Sequence, residues 1–309
     1  ETEVMPTLTR TPLWDRVDAL ERHDHDRFKH QIFGFSQKDL EAIFSDWRLY
    51  RRLLWVVEKT PSGEARQVRF HPRRWQEEYE STRTNFDIAL KSRKIGFTTD
   101  VLLEIYAKSA TLMHQRSLYM TYEEKVAQET AVILQTAHDL NPFQPKLAKN
   151  NSETMVFEQT KSRVLLATAG ARVLARGSDF TMEHLTEVSH YYKADIDVPN
   201  FVAGVLDALA RGCRVVYEST PNGEDPIFHA TYQNALNGEL WRPIFLSVFM
   251  DDTADWPASH PEALHSTKNE DFDLTDYEMG LIETHGATRG HVRFLRYEKH
   301  KINAKSALE

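Results

Sequence analysis

Cysteine is almost missing from this 309-residue chain: Cys213 stands alone. An intramolecular disulfide and any metal site built from several thiolates are thereby excluded, which fits a reducing compartment. Long apolar runs are missing too. Leu53 to Val57 spans five residues, against the roughly 20 that a spanning helix needs, and the N-terminus shows no signal-peptide pattern. There is no internal repeat and no low-complexity tract. Nor is there a basic excess, since 38 Lys and Arg stand against 46 Asp and Glu, a net charge of −8. An apolar fraction of 41% with 27% charged residues excludes wholesale disorder, and the length allows two domains or one large one.

The charge is unevenly placed. Arg48 to Lys94 holds twelve Lys and Arg against six Asp and Glu, whereas Asp251 to Glu283 holds ten acids and only Lys268. The basic stretch reads as a phosphate-binding stripe or as an ordinary solvated face.

Periodicity then organises the chain. Ser36 and Asp39 form a helix-start pattern followed by Leu40, Ile43, Phe44 and Trp47. Leu53 to Glu58 and Arg66 to Phe70 read as a hairpin around Pro61-Ser62-Gly63, and a helix is expected from Arg73 to Arg83. Short strands and helices then alternate. Strands are expected at Phe86 to Ala89, Ser117 to Thr121, Arg163 to Ala167, Cys213 to Tyr217 and Ile244 to Phe249. Helices are expected around Val101 to Leu112, Val126 to Leu140 and Phe201 to Ala210. Such alternation argues for a parallel sheet with helices on both faces. Beyond Met250 the chain turns acidic and proline-containing, with one more helix from Thr275 to Glu283.

In such a sheet, ligands bind at the carboxyl ends of strands, and three segments lie there. The first is Lys91-Ser92-Arg93-Lys94-Ile95-Gly96-Phe97-Thr98-Thr99. A phosphate loop reads G-x-x-x-x-G-K-[ST]. Here the second Gly and the hydroxyl position are kept, Lys91 replaces the first Gly, and Phe97 replaces the Lys. Three cations and two hydroxyls before a helix suit phosphate and Mg²⁺, and they equally suit a basic turn capped by Thr98 or Thr99. The second segment, Thr181 to Glu187, offers Glu183 and Glu187 as acids for activating water. His184, Glu187 and His190 stand at i, i+3 and i+6, which does not match the H-E-x-x-H zinc pattern. His23-Asp24-His25-Asp26 reads as a solvated helix face. The third segment, Ser219-Thr220-Pro221-Asn222-Gly223, is either a γ-phosphate sensor or a plain Pro-Asn-Gly turn.

Taken in order, these pieces resemble the ATPase domain of the large terminase subunit of tailed bacteriophages. That family carries a glutamine before the first strand, a deviant loop R-Q-x-G-x-[ST]-T, an acidic strand end such as H-L-S-E-V-A, and E-S-T-x-N-G before an aromatic helix. This chain has Trp75-Gln76, Arg93-Lys94-Ile95-Gly96-Phe97-Thr98-Thr99, His184-Leu185-Thr186-Glu187-Val188-Ser189, and Glu218-Ser219-Thr220-Pro221-Asn222-Gly223 with Phe228 and Tyr232 beyond. The likeness runs from about Arg73 to Val248.

The resemblance implies a P-loop NTPase-type α/β fold with a mostly parallel sheet. Residues 1–72 would be a helical and hairpin extension, 73–250 the ATPase core, and 251–309 a linker subdomain, with the family's nuclease domain absent. It implies ATP and Mg²⁺ as cofactors, with Gln76 at the adenine and Lys91, Ser92, Arg93, Lys94, Ile95, Gly96, Phe97, Thr98 and Thr99 forming the phosphate loop. Glu187 would orient the hydrolytic water, Arg176 would be an arginine finger acting in trans, and Ser219, Thr220 and Asn222 would form the coupling motif. Thr98 and Thr186 would lie at the metal, with Thr186 where relatives carry an Asp. With Phe97 in the lysine slot, Lys91 or Arg93 must meet the phosphate charge, and the pattern favours Arg93. The implied function is translocation of double-stranded DNA into a procapsid, with a portal protein and a small terminase subunit as partners. The chain would form a homo-oligomeric ring when assembled, be a monomer alone, and work in the host bacterial cytoplasm away from membranes. A helicase-type translocase and a non-hydrolysing nucleotide- or DNA-binding module are the alternatives.

Overall fold

The computed structural model describes residues 10–59, 64–169, 179–193 and 209–306. The chain divides into two compact units, residues 1–58 with 65–245, and residues 59–64 with 246–309.

The first unit opens on four short helices: α1 (Pro12–Asp18), α2 (His25–Phe33), α3 (Gln37–Ser45) and α4 (Trp47–Arg51). Local chemistry starts them. Asp24 caps α2 by accepting the Arg27 amide, and Ser36 and Asp39 close a reciprocal capping box on α3, which satisfies amides that have no intrahelical partner. The hairpin follows as β1 (Trp55–Lys59) and β2 (Ala65–Arg69), a separate two-stranded sheet. Helix α5 (Arg74–Thr82) leads into the main sheet.

That sheet is built from β3 (Phe86–Lys91), β4 (Arg116–Thr121), β5 (Leu147–Asn150), β6 (Thr154–Phe157), β7 (Arg163–Thr168), β8 (Phe180–Thr186), β9 (Leu209–Ser219) and β10 (Arg242–Leu246). Their spatial order is β10-β3-β9-β8-β4-β7-β6-β5. The pairs β3–β9, β9–β8, β8–β4 and β4–β7 run parallel. The β5–β6 and β6–β7 pairs are antiparallel. This edge hairpin was not expected: Leu147-Ala148-Lys149-Asn150 is too short and polar to announce a strand. Helices α6 (Phe97–Thr111), α7 (Glu124–Asp139) and α8 (Phe228–Leu236) complete the unit. Ile88, Leu118, Met120, Leu185, Val215 and Tyr217 form the core on one face of the central strands. The helix expected at Phe201 to Ala210 lies outside the described residues apart from Leu209 and Ala210, which begin β9.

The basic stretch from Arg48 to Lys94 is neither a stripe nor a solvated face over much of its length. Arg51, Arg52, Arg69 and Arg83 are buried. Arg51 pairs with Glu80 and with Asp100 at 2.9 Å, and Arg83 meets Glu104 at 2.6 Å. Arg214 of β9 holds Asp87 at 3.0 Å beside Tyr79, whose hydroxyl donates to the same carboxylate at 3.1 Å. Buried charges persist only when paired and hydrogen-bonded. Here the pairs tie α4 to α5 and α6 and anchor β3 below its loop.

The second unit has its own small core. Arg293, in α10 (Arg289–Ser306), donates to the carbonyls of Thr267 and Trp256 at 2.9 and 3.0 Å. Helix α9 (Asp276–His285) starts at a Thr275–Glu278 capping box, close to where the sequence places it. Gly290 is obligatory, since a Cβ there would lie 1.9 Å from Asp255 Oδ1 and 2.7 Å from the Trp256 amide nitrogen. No helix among the described residues is long and apolar enough to cross a membrane.

Candidate nucleotide site

Strand β3 ends at Lys91, and α6 begins six residues later at Phe97. Between them the backbone turns through Lys94 at φ 61° and Gly96 at φ 89°. Glycine reaches that conformation without the Cβ penalty, so Gly96 sets the angle at which the loop enters the helix. The first amides of α6 have no partner within the helix and mark the positive end of its dipole. Loop and helix thus offer donors to an anion.

Gln76 is buried against this loop. Its Nε2 donates to the Gly96 carbonyl at 3.4 Å while its Oε1 accepts the Arg73 amide at 2.7 Å. The Arg73 side chain reaches the Ile95 carbonyl at 3.3 Å. Ile95 is fully buried. The Phe97 ring is 1% exposed, with its centroid 6.2 Å from Trp75 and 5.1 Å from Tyr79. Only its backbone belongs to the loop, because the side chain locks α6 onto α5. Arg93 and Lys94 are exposed at the tip, and Arg93 makes no hydrogen bond or ion pair among the described residues. Ser92 Oγ is buried without a hydrogen-bond partner among the described residues, and Thr99 is half-buried beside Thr98.

Three strand ends meet beside the loop. Lys91 Nζ lies 3.3 Å from Glu187 Oε1 and 3.7 Å from Glu218 Oε2. Burial disfavours the ammonium, but the two carboxylates reverse that and raise its pKa above the ordinary lysine value. Glu218 is fully buried. Its Oε1 accepts from Thr98 Oγ1 at 2.7 Å and Thr186 Oγ1 at 2.6 Å, and lies 3.1 Å from His184 Nε2. Burial opposes its charge, yet Lys91 and the hydrogen bonds from His184 and Thr186 hold the carboxyl at about 2.

Glu187 follows β8 at φ 54°, a left-handed conformation that costs a non-glycine residue on the order of 1 kcal/mol or more. Its carboxylate is fastened from β9: Oε2 accepts the Thr220 amide at 3.2 Å and the Thr220 hydroxyl at 2.9 Å. Ser219 Oγ hydrogen-bonds Ser189 Oγ, and Asn222 Nδ2 donates to the Ser189 carbonyl at 3.1 Å. The third segment is therefore no plain turn, since it clamps the end of the acid-bearing strand.

The two acids of this segment part at the end of β8, because Glu187 leaves the strand at φ 54° while Glu183 stays within it. His184 and Thr186 share the face of Glu218, whereas Glu183 pairs in register with Val215 on the opposite face. Glu183 is fully buried and neither of its carboxylate oxygens has a hydrogen-bond partner among the described residues, and burial pushes its pKa up to about 8. It takes no part in the cluster at the loop. His184 serves Glu218, and no group of three His, Cys, Asp or Glu among the described residues can hold a metal by itself. Asp24 of the early His-Asp cluster is a helix cap, and His25 packs edge-on against Trp55 with centroids 5.0 Å apart. Arg176 lies outside the described residues.

Sequence reasoning assigned no role to Glu218. It stood first in Glu-Ser-Thr-Pro-Asn-Gly, and an ionised acid ending a β-branched strand was the available signal. Its importance emerges only when Lys91 of β3, Thr98 of α6 and His184 and Thr186 of β8 converge on it.

No family model and no curated protein matches the sequence. Among solved structures, the chain is similar to the large terminase of bacteriophage HK97. The TM-score is 0.53 at 10% identity, and the match covers 84% of this chain and 51% of that one; the chain spans about half the length of that terminase. It is also similar to the large terminase ATPase domain of Thermus phage P74-26, with a TM-score of 0.45, 11% identity and coverage of 58% and 82%. A third similar structure is the large terminase of a thermophilic bacteriophage in complex with ADP, at TM-score 0.41, 12% identity and coverage of 54% and 41%. The fold, a mostly parallel α/β sheet flanked by helices, is that of the HK97 large terminase over the matched region.

Proposed function

We propose that this chain is the ATP-hydrolysing motor domain of a DNA-packaging terminase, moving double-stranded DNA into a procapsid. One observation carries the reading: Lys91 of the loop strand, Glu187 of the β8 end and Thr220 of the β9 end form a single bonded chain beside the N-terminus of α6.

In this reading the α6 amides, Ser92 and the loop cations meet the triphosphate, and Gln76 reads the adenine from behind Gly96. Exposed Arg93 folds over the phosphates as a bidentate partner. Glu187 orients a water for in-line attack on the γ-phosphorus and takes its proton, while the bond to the bridging oxygen breaks to leave ADP and phosphate. Mg²⁺ bound with the nucleotide would supply neutralising charge, and the Thr98 hydroxyl would be this chain's ligand to it from the loop. Thr220 grips the same carboxylate that serves the water, so product formation is felt directly at Ser219, Thr220 and Asn222. That is a route from hydrolysis to movement. Arg176 is proposed as the trans finger, organised by a ring of subunits on a portal protein with a small terminase subunit as recruiter.

The test is steady-state ATP hydrolysis by the chain alone, with double-stranded DNA, and with DNA and portal. Weak hydrolysis alone, rising steeply when the ring is assembled, is expected, because an arginine finger is worth about 10³–10⁵ in related transfers. Brisk hydrolysis by dilute chain, indifferent to DNA and to Arg176→Ala, contradicts the trans-finger reading. Nucleotide binding without turnover under every condition favours the non-hydrolysing module.

A further inference from the structure

The end of β8 presents a hydroxyl, Thr186, at the position from which a metal-holding carboxylate is expected, and the Thr186 hydroxyl is already committed as a donor to Glu218 at 2.6 Å. We propose that Glu218, on the neighbouring strand β9, is the carboxylate that holds the nucleotide's divalent cation, with Thr98 as its partner from the phosphate loop. This assignment rests on the nucleotide-site reading above.

The residues fit such an ion. Glu218 Oε1 accepts the Thr98 hydroxyl proton at 2.7 Å. That bond turns the oxygen lone pairs of Thr98 away from Glu218 and makes them available to a cation. Among the described residues Glu218 Oε2 is buried and has no hydrogen-bond partner, and the Lys91 ammonium lies 3.7 Å from it. A buried carboxylate oxygen without a donor is costly, and a hard cation or one of its waters would satisfy it. Mg²⁺ is characteristically held by one or two carboxylates together with substrate phosphates, keeping several waters, so one Glu, one Thr and the nucleotide suffice. No cluster of three protein ligands is required.

The arrangement also gives Thr186 and His184 a function other than ligation. Both approach Oε1, at 2.6 and 3.1 Å, and leave Oε2 on the side of Lys91. The Tyr119 ring stands edge-on to His184, with centroids 5.3 Å apart, and so fixes the imidazole. Thr186 and His184 are positioning residues for the carboxylate. On this assignment the carboxylate that holds the cation lies on β9, while the residue that activates water follows the end of β8.

Equilibrium binding of ATPγS in EDTA and in excess Mg²⁺ tests the assignment without relying on turnover. For the wild-type chain, Mg²⁺ is expected to tighten binding. Glu218→Gln should bind in EDTA at least as well as wild type, having lost a negative charge near the phosphates, while its Mg²⁺-dependent gain falls by about tenfold or more. Glu218→Asp keeps the charge and guards against misfolding of the amide variant; it should retain part of the gain. Thr186→Asp added to Glu218→Gln should restore it, since Thr186 Oγ1 already lies beside Oε1. Mn²⁺ in place of Mg²⁺, followed by electron paramagnetic resonance, should show the nucleotide-bound ion in wild type and its loss in Glu218→Gln. A full wild-type Mg²⁺ gain in Glu218→Gln overturns the assignment, as does wild-type binding that ignores Mg²⁺. Failure of the wild-type chain to bind ATPγS under either condition overturns instead the nucleotide-site reading beneath it.

Discussion

Replacing Glu183 by Gln should stabilise this protein at neutral pH and leave its chemistry alone. Glu183 is fully buried on the sheet face opposite Glu218, its oxygens have no hydrogen-bond partner among the described residues, and burial raises its carboxyl to about 8 from an ordinary 4.5. The folded state therefore keeps a proton that the unfolded chain releases. A raised carboxyl contributes its full stability below the unfolded value, and that contribution is lost as pH rises towards 8. At pH 7 the chain is about 2.5 pH units above the unfolded value; at 1.36 kcal/mol per unit this is about 3 kcal/mol lost relative to acid. Glutamine has nearly the same shape and never ionises. Glu183→Gln should therefore match wild type near pH 5, exceed it by about 1–3 kcal/mol at pH 7, and exceed it by more at pH 8. Urea unfolding at these pH values, followed by tryptophan fluorescence, measures the difference. A variant that is destabilised equally at every pH would refute the reasoning, because Glu183 would then be ionised and partnered in the fold.

Other outcomes follow from the same geometry. Phe97→Lys should not rebuild a conventional phosphate loop but should unfold the protein more easily, by about 3 kcal/mol or more, because an ammonium would replace a ring packed on Trp75 and Tyr79; a denaturation midpoint equal to wild type would contradict this. Arg93→Ala should weaken nucleotide binding by about tenfold, the loss of one charged hydrogen bond at about 1.5 kcal/mol, with no change in stability. Lys91→Ala should lower stability as well, since it leaves Glu187 and the buried Glu218 without their shared cation; nucleotide titration beside urea unfolding separates the two patterns.

Much of the architecture was legible in residue order. The Ser36–Asp39 cap, the Phe86 strand running into a basic loop and the alternation from Ser117 to Leu140 all announce elements that the structure contains, because periodicity and turn chemistry are local properties. Long-range properties were not legible. A run of arginines reads as surface until Glu80, Asp100 and Glu104 arrive from other helices to bury it. Glu183 and Glu187 look equivalent until the structure buries the first within β8 and turns the second out of the strand end at φ 54°. Glu218 looks like the first letter of a turn until four side chains from three elements close around it. The last helix, Arg289 to Ser306, was missed because charged residues are spread along it, and its buried side is the short run His291, Val292 and Arg293.

The central claim is that Glu187 is the acid that activates water, held for that task by Thr220. ATP binding and single-turnover hydrolysis by Glu187→Gln, in a chain assembled with DNA, test it most directly. The amide keeps the shape and can still accept the Thr220 hydrogen bonds, but it cannot take a proton from water. Binding should persist while the hydrolysis rate falls by about 10²-fold or more. Undiminished hydrolysis by Glu187→Gln, or its loss in Glu183→Gln instead, would contradict the account.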